Sequence, residues 1–234
     1  SLDSEVTITS LAASEPPSKL GLRAGQKIRL RYLLRAAAVK SANDAATAIG
    51  EAIAGSEDAF ATRMNRTAQA MGMRNTTFRN ANGLTQSGHM STARDMSVLG
   101  RHIIYDFPQY YNLFSRRTAD AGIATVRHTN RRWLDSYEGG DGIKTGYTNA
   151  AGFNLVASAQ RGNVRIIASV FGASSVAARN ARAAELLDMC FAQAPRNARI
   201  QRPPLPAYQP GSSSNDEPQL IAANVTDVPG AAGR

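Results

Sequence analysis

Cysteine, histidine, lysine and long apolar runs are all scarce in this chain, and each scarcity removes a class of function. The single cysteine, Cys190, leaves no partner for an intrachain disulfide and is neutral about redox compartment. Three histidines, His89, His102 and His128, are scattered without metal-ligand spacing, and no cysteine cluster accompanies them. No metal and no cofactor is therefore expected. No run of eighteen apolar residues occurs, which excludes a membrane-spanning helix. The opening residues, SLDSEVTITS, lack the basic start and apolar stretch of a secretory leader. On that reading the chain is either cytosolic or already stripped of its N-terminal part. Lysine is rare too: Lys19, Lys27, Lys40 and Lys144 are the only four among 27 basic residues. Where arginine serves almost everywhere, a retained lysine points to a site that needs a compact ammonium rather than a planar fork.

What is present is enough for a folded domain. At 234 residues and 43% hydrophobic, the chain can bury a proper core, and one main domain with a tail fits the length. Net charge is +9. The basic residues are dispersed and no nucleic-acid reader motif occurs, so nucleic acid is not an expected partner. Diffuse positive charge fits attraction to any polyanion, and association with a cell envelope or membrane surface stays open.

The pattern divides the chain in two. EVTIT reads as a short strand, and the Pro- and Gly-rich SEPPSKLGLRAGQ as a loop. From Ile28 the spacing of Ile28, Leu30, Leu33 and Leu34 predicts a helix. Further helices are expected over NDAATAIGEAIAG, stopping at Gly55, and over SEDAFATRMNRTAQAMG, capped by Ser56. STARDMSVLGRHIIYD and the short FPQYYNLF complete the helical half. Beyond residue 115, IATVRHT, GIKTGYT, FNLVASAQ and VRIIASVFG read as strands, with a hairpin turn at QRGNV. A long amphipathic helix follows, stopped by Pro195. The order predicts an α+β domain over 1–194, a helical cluster packed on an antiparallel sheet, and a Pro/Ser-rich flexible tail or linker over 195–234.

Two triplets carry the chemistry. Ser41-Ala42-Asn43 sits between two helices, and Lys144-Thr145-Gly146 lies near a strand start. Singly, each has an ordinary reading: Ser41 and Asn43 as helix caps, Gly146 as a strand bend. In this order they match two of the three elements of penicillin-recognising serine enzymes. The surrounding segments LLRAAAVKSANDAATAIGEAIAGSEDAFATRMNRTAQAMGMRNTTFRNANGL, STARDMSVLGRHII and DGIKTGYTNAAGFNLVASA sharpen the match. From about Ser1 to Ala192 the chain resembles the D-alanyl-D-alanine carboxypeptidases, low-molecular-weight penicillin-binding proteins of the S11 peptidase type.

The resemblance implies a penicillin-binding/β-lactamase-like domain. It also implies a serine nucleophile that cleaves the D-Ala-D-Ala bond through an acyl-enzyme. Ser41 would relay a proton toward the leaving amine. Asn43 would hold the acyl side chain's amide and orient the catalytic lysine, and Lys144 would supply positive potential. Thr145 would offer a hydroxyl to the substrate carboxylate, and Gly146 would admit the peptide to the strand edge. The Tyr147 N–H would be an oxyanion donor. Arg179 would pair with the terminal carboxylate, ahead of Arg182 three residues on. Implied partners are peptidoglycan stem peptides and β-lactams, and the implied location is the periplasm or cell envelope of a bacterium. A serine β-lactamase would need a deacylating base, and no Glu-x-x-Leu-Asn equivalent is evident.

One departure stands out. The family's nucleophile and base form a Ser-x-x-Lys pair, and no serine here is followed three residues later by lysine. A helix needs that spacing to bring both side chains to one face. The expectation is an N-terminally truncated domain whose nucleophile helix precedes SLDSEVTIT, making the 234 residues inactive alone. The alternative is a catalytically dead, muropeptide-binding relative.

Overall fold

A computed structural model describes residues 1–195 and 197–207. A short antiparallel pair comes first: β1 (Glu5–Thr7) against β2 (Lys27–Arg29), with Val6 opposite Ile28. Helix α1 (Ser10–Ser14) lies between them, capped by Thr9, whose Oγ1 accepts from the Ala12 amide at 3.0 Å. The helix expected from Ile28 begins instead at Leu30, as α2 (Leu30–Arg35). Ile28 joins Val6 in the buried cluster, so strand pairing overrides the helical spacing of its side chain.

Helix α2 runs on through a wider π turn, Ala36–Lys40, and breaks at Ser41. Then α3 (Asn43–Ala54) ends at Gly55, whose φ of 83° a side chain would strain. Helix α4 (Glu57–Ala70) starts from a Ser56 cap with Glu57 and Asp58 in its first turn, opposite in sign to the helix dipole there. Thr92 caps α5 (Ala93–Asp106), and Pro108 opens α6 (Pro108–Tyr111).

Besides α1 and β2, two elements were not anticipated from the sequence. The strand β3 (Thr118–Asp120) pairs with β4 (Thr125–Arg127), and α7 (Arg131–Ser136) follows. Both are too short to show a period. The main sheet has three antiparallel strands in the order β5 (Gly140–Thr148), β6 (Gly152–Arg161), β7 (Val164–Ala173). Helix α8 (Val176–Gln193) closes the body, capped by the Ser175 hydroxyl at 3.1 Å from the Ala178 amide.

The sheet lies between helices, which explains why β6 is apolar on both faces. Leu155, Ala157 and Ala159 join Trp133 and Leu187 in the cluster beneath α8. Val156 turns the other way, to Ile143 and Ile104 of α5. Gly100 permits that approach, since a Cβ there would come 2.9 Å from Ile143 Cδ1. A separate helical core holds Leu33, Val39, Ala45 and Ala48 with Val6 and Ile8. Residues 197–207 contain no helix or strand, and the Ala207 amide donates to the Ala70 carbonyl at 3.0 Å. Residue 196 and residues 208–234 of the expected tail lie outside the described residues.

The loop ahead of Ser41 is moulded around one carboxylate. Asp44 is wholly buried and accepts from four backbone amides: Leu20, Gly21, Leu22 and Ala45, at 2.8 to 3.0 Å. Removing it leaves buried donors unpaired, each costing about 1–3 kcal/mol. Asp44→Ala is expected to destabilise the fold by about 3 kcal/mol. The check is the denaturant midpoint, and an unchanged midpoint would refute this account of the loop.

Candidate active site

Four segments bring the sequence-predicted residues together. Ser41 ends the π turn in a left-handed conformation, φ 60° and ψ 43°, the only non-glycine residue with positive φ among the described residues. That backbone is unfavourable for a side-chain residue and persists only where its surroundings hold it. Here it leaves Ser41 facing β5, where Lys144 Nζ donates to its Oγ at 2.7 Å. The bond joins residues 103 apart and links the helical body to the sheet.

Strand β5 carries the lysine-threonine-glycine triplet within it and not at its start. Lys144 lies opposite Val156, and its Nζ also donates to the Thr145 carbonyl at 2.7 Å. Thr145 lies opposite Leu155, and its hydroxyl meets that of Thr129 at 3.1 Å. Strand β5 is an edge of its sheet among the described residues, so its outer backbone groups are available to another chain. At Gly146 an added Cβ would meet nothing within 4 Å. Nothing among the described residues requires a glycine there. Tyr147 is 54% exposed, its ring tilted on Phe153 with centroids 4.4 Å apart.

Arg179 sits where the fold gives it least help. The buried stripe of α8 is Arg179, Ala183, Leu187, so a guanidinium opens an otherwise apolar face in the helix's first turn. A cation near a helix N-terminus opposes the dipole. Arg179 is 5% exposed, and its Nε and Nη2 donate only to Asn180 Oδ1, at 3.1 and 2.9 Å. No carboxylate among the described residues pairs with it. Arg182, the rival arginine, is instead a surface ion pair with Glu185 at 2.7 Å.

These surroundings set the protonation states. Burial, then the nearby Arg179 charge, lowers the Lys144 pKa to about 8. Burial also lowers that of Arg179. His128 is held neutral, its pKa lowered to about 4 by burial and then by the charges of Lys144 and Arg117. The arrangement is two neighbouring cations, Lys144 and Arg179, with too few counter-charges beside an open strand edge. Chemically, it can bind an anion and move a proton between an amine and a hydroxyl.

Asn43 is placed differently from the others. It begins α3, its amide Nδ2 donates to the Pro16 carbonyl at 2.9 Å, and its own N–H donates to the Ser18 carbonyl at 2.8 Å. It thus holds the loop at 16–18 against the Ser41 turn. Sequence reasoning missed the segment 128–133. Arg127 to Trp133, with Val176 and Arg179, line a recess of about 330 Å³. His128, Asn130 and Trp133 are buried there, and the Asn130 side-chain amide and Trp133 Nε1 have no hydrogen-bond partner among the described residues. The one available signal was HTN between a strand and an apolar pair, too short to weigh alone.

Comparison with known proteins defines the class. The family model for D-alanyl-D-alanine carboxypeptidase, peptidase S11, matches residues 1–175. The chain is 39% identical over 197 residues to D-alanyl-D-alanine carboxypeptidase DacF of Bacillus subtilis, covering 82% of this chain and 50% of that protein. It is 38% identical over 176 residues to DacA of Escherichia coli K12, covering 74% and 43%. Among solved structures, penicillin-binding protein 5 of Haemophilus influenzae aligns with a TM-score of 0.76 at 34% identity, covering 82% of this chain and 57% of that one. Ampicillin-bound penicillin-binding protein D2 of Listeria monocytogenes aligns at 0.72 and 31% identity, covering 82% and 78%. The fold is therefore that of the penicillin-binding proteins, helices on an antiparallel sheet. The chain belongs to the D-alanyl-D-alanine carboxypeptidase family, and it spans about half the length of the curated relatives it matches.

The lowered Lys144 pKa has a signed consequence for stability. Between about pH 8 and the ordinary lysine value of 10.5, the unfolded chain binds more protons than the folded one, so stability rises with pH across that window. Below about pH 8 both states hold the proton and the dependence vanishes. Denaturant midpoints at pH 7.5 and 9.5 should show this rise relative to Lys144→Met. A parallel profile for the two proteins would contradict it.

Proposed function

We propose that this chain supplies the substrate-binding and proton-relay half of a serine-type D-Ala-D-Ala carboxypeptidase. Such an enzyme trims the terminal D-alanine from peptidoglycan stem peptides through an acyl-enzyme. One observation carries the reading: Lys144 Nζ bonded to Ser41 Oγ at 2.7 Å, on an edge strand that carries the lysine-threonine-glycine triplet within it. A hydroxyl so placed can pass a proton toward a leaving amine, and the lysine behind it, its pKa lowered to about 8, can take or return one. A stem peptide lies along β5 as an added strand, where Gly146 leaves room for its backbone. Its terminal carboxylate faces Thr145 and the unpaired Arg179. The Tyr147 N–H serves as an oxyanion donor, and Asn43 holds the loop beside the acyl side chain. β-Lactams enter the same groove by the same groups. A positive surface of net charge +9 suits work in an anionic bacterial envelope, in the periplasm. No helix of the described residues is long and apolar enough to cross a membrane.

The nucleophile and its lysine are not among the 234 residues, since none of their serines has a lysine three positions on. The second reading is a relative that binds muropeptides without turning them over. Labelled penicillin separates the two when applied to the complete protein purified from its source cells. A covalent adduct is expected, and in Lys144→Arg the acylation rate should fall by at least about tenfold, because a planar fork cannot replace the point donor to Ser41. No adduct, with D-Ala-D-Ala peptide still bound, establishes the second reading instead. Unchanged acylation in Lys144→Arg removes the role assigned to Lys144.

A further inference from the structure

Thr129 is where three parts of the site meet. Its amide donates to the Val39 carbonyl at 3.0 Å, in the turn that delivers Ser41. Its hydroxyl meets that of Thr145 at 3.1 Å, and with Arg179 it lines the recess. It is exposed, while its neighbours His128 and Asn130 are buried. The backbone around it is fixed without help from the hydroxyl: the His128 amide donates to the Arg117 carbonyl at 3.0 Å, and the Asn130 amide to His128 Nδ1 at 2.9 Å.

Two hydroxyls bonded to each other hold two protons and use one between them. Whichever donates, one proton is left for a third group, and the shared bond polarises it. The group nearest in chemistry is an anion, since Arg179 brings a buried, unpaired positive charge to the same recess. We propose that Thr129 is a positioning residue for carboxylate recognition. Its hydroxyl holds that of Thr145 so that their unshared proton faces the recess beside Arg179, where the terminal carboxylate of a D-Ala-D-Ala peptide is bound. This rests on the carboxypeptidase reading above, and adds to it a residue from a segment outside both sequence triplets.

The test is calorimetric titration of the complete protein with two non-cleavable probes. One is the ketomethylene isostere of diacetyl-L-Lys-D-Ala-D-Ala, and the other is its C-terminal amide. The parent should prefer the acid. Thr129→Val should weaken acid binding about five- to tenfold, the worth of one hydrogen bond to a charged group, and leave amide binding unchanged. Thr129→Ser, which keeps the hydroxyl, should restore the preference. Full acid affinity in Thr129→Val, or an equal loss for acid and amide, overturns the positioning role while leaving the carboxypeptidase reading intact. A parent that binds acid and amide equally overturns that reading and this inference together.

Discussion

The whole arrangement turns on one lysine being held away from water beside another cation. Burial and the Arg179 charge both act against the Lys144 ammonium, and only two acceptors oppose them: Ser41 Oγ and the Thr145 carbonyl. Each acceptor depends on a different half of the molecule. The Thr145 carbonyl comes with the strand itself. Ser41 has to be delivered, and the device that delivers it is a π turn ending in a left-handed residue. An ordinary α-helical continuation would rotate the serine off the site, so the local strain is the means by which the helical body reaches the sheet.

Support for that turn comes from beneath. The Asp44 carboxylate gathers the amides of Leu20, Gly21 and Leu22, and Asn43 ties the preceding loop through Pro16 and Ser18. Polar groups in the first turn of α3 therefore shape a loop and do not face solvent. Helix α8 presents Arg179 to the sheet in line with Ala183 and Leu187. A buried guanidinium in a helix's first turn, without a carboxylate, is unfavourable in an isolated chain. Its presence is understandable if the counter-charge arrives from outside. The same logic applies to the edge of β5, whose backbone groups and empty space at Gly146 have no use among the described residues.

The three apolar clusters are separate: one in the helical body, one between sheet and α8, one between sheet and α5. Contact between the body and the sheet falls largely to polar bonds such as Lys144 to Ser41 and Thr129 to Thr145. These bonds lie where a substrate strand would enter. Rigidity of the site thus depends on hydrogen bonds that a ligand can reinforce, more than on apolar packing between the halves.

Much was legible in the residues themselves. The caps Ser56, Thr92 and Ser175, the stop at Gly55 and the three long strands all follow from local chemistry, because each is decided by a few neighbouring residues. The two triplets and their order pointed to the family. Ile28 was misread because a partner 22 residues away, Val6, claimed it for a strand. The short β3 and α7 carry no period to read, and with them the contribution of Thr129 stayed hidden. By itself the sequence determined which elements form and which residue types the chemistry can use. Only the tertiary structure decided that Lys144 meets Ser41, that Arg179 rather than Arg182 lies without a partner, and that Thr129 backs Thr145. Those are contacts between segments far apart in the chain, set by packing that no local propensity encodes.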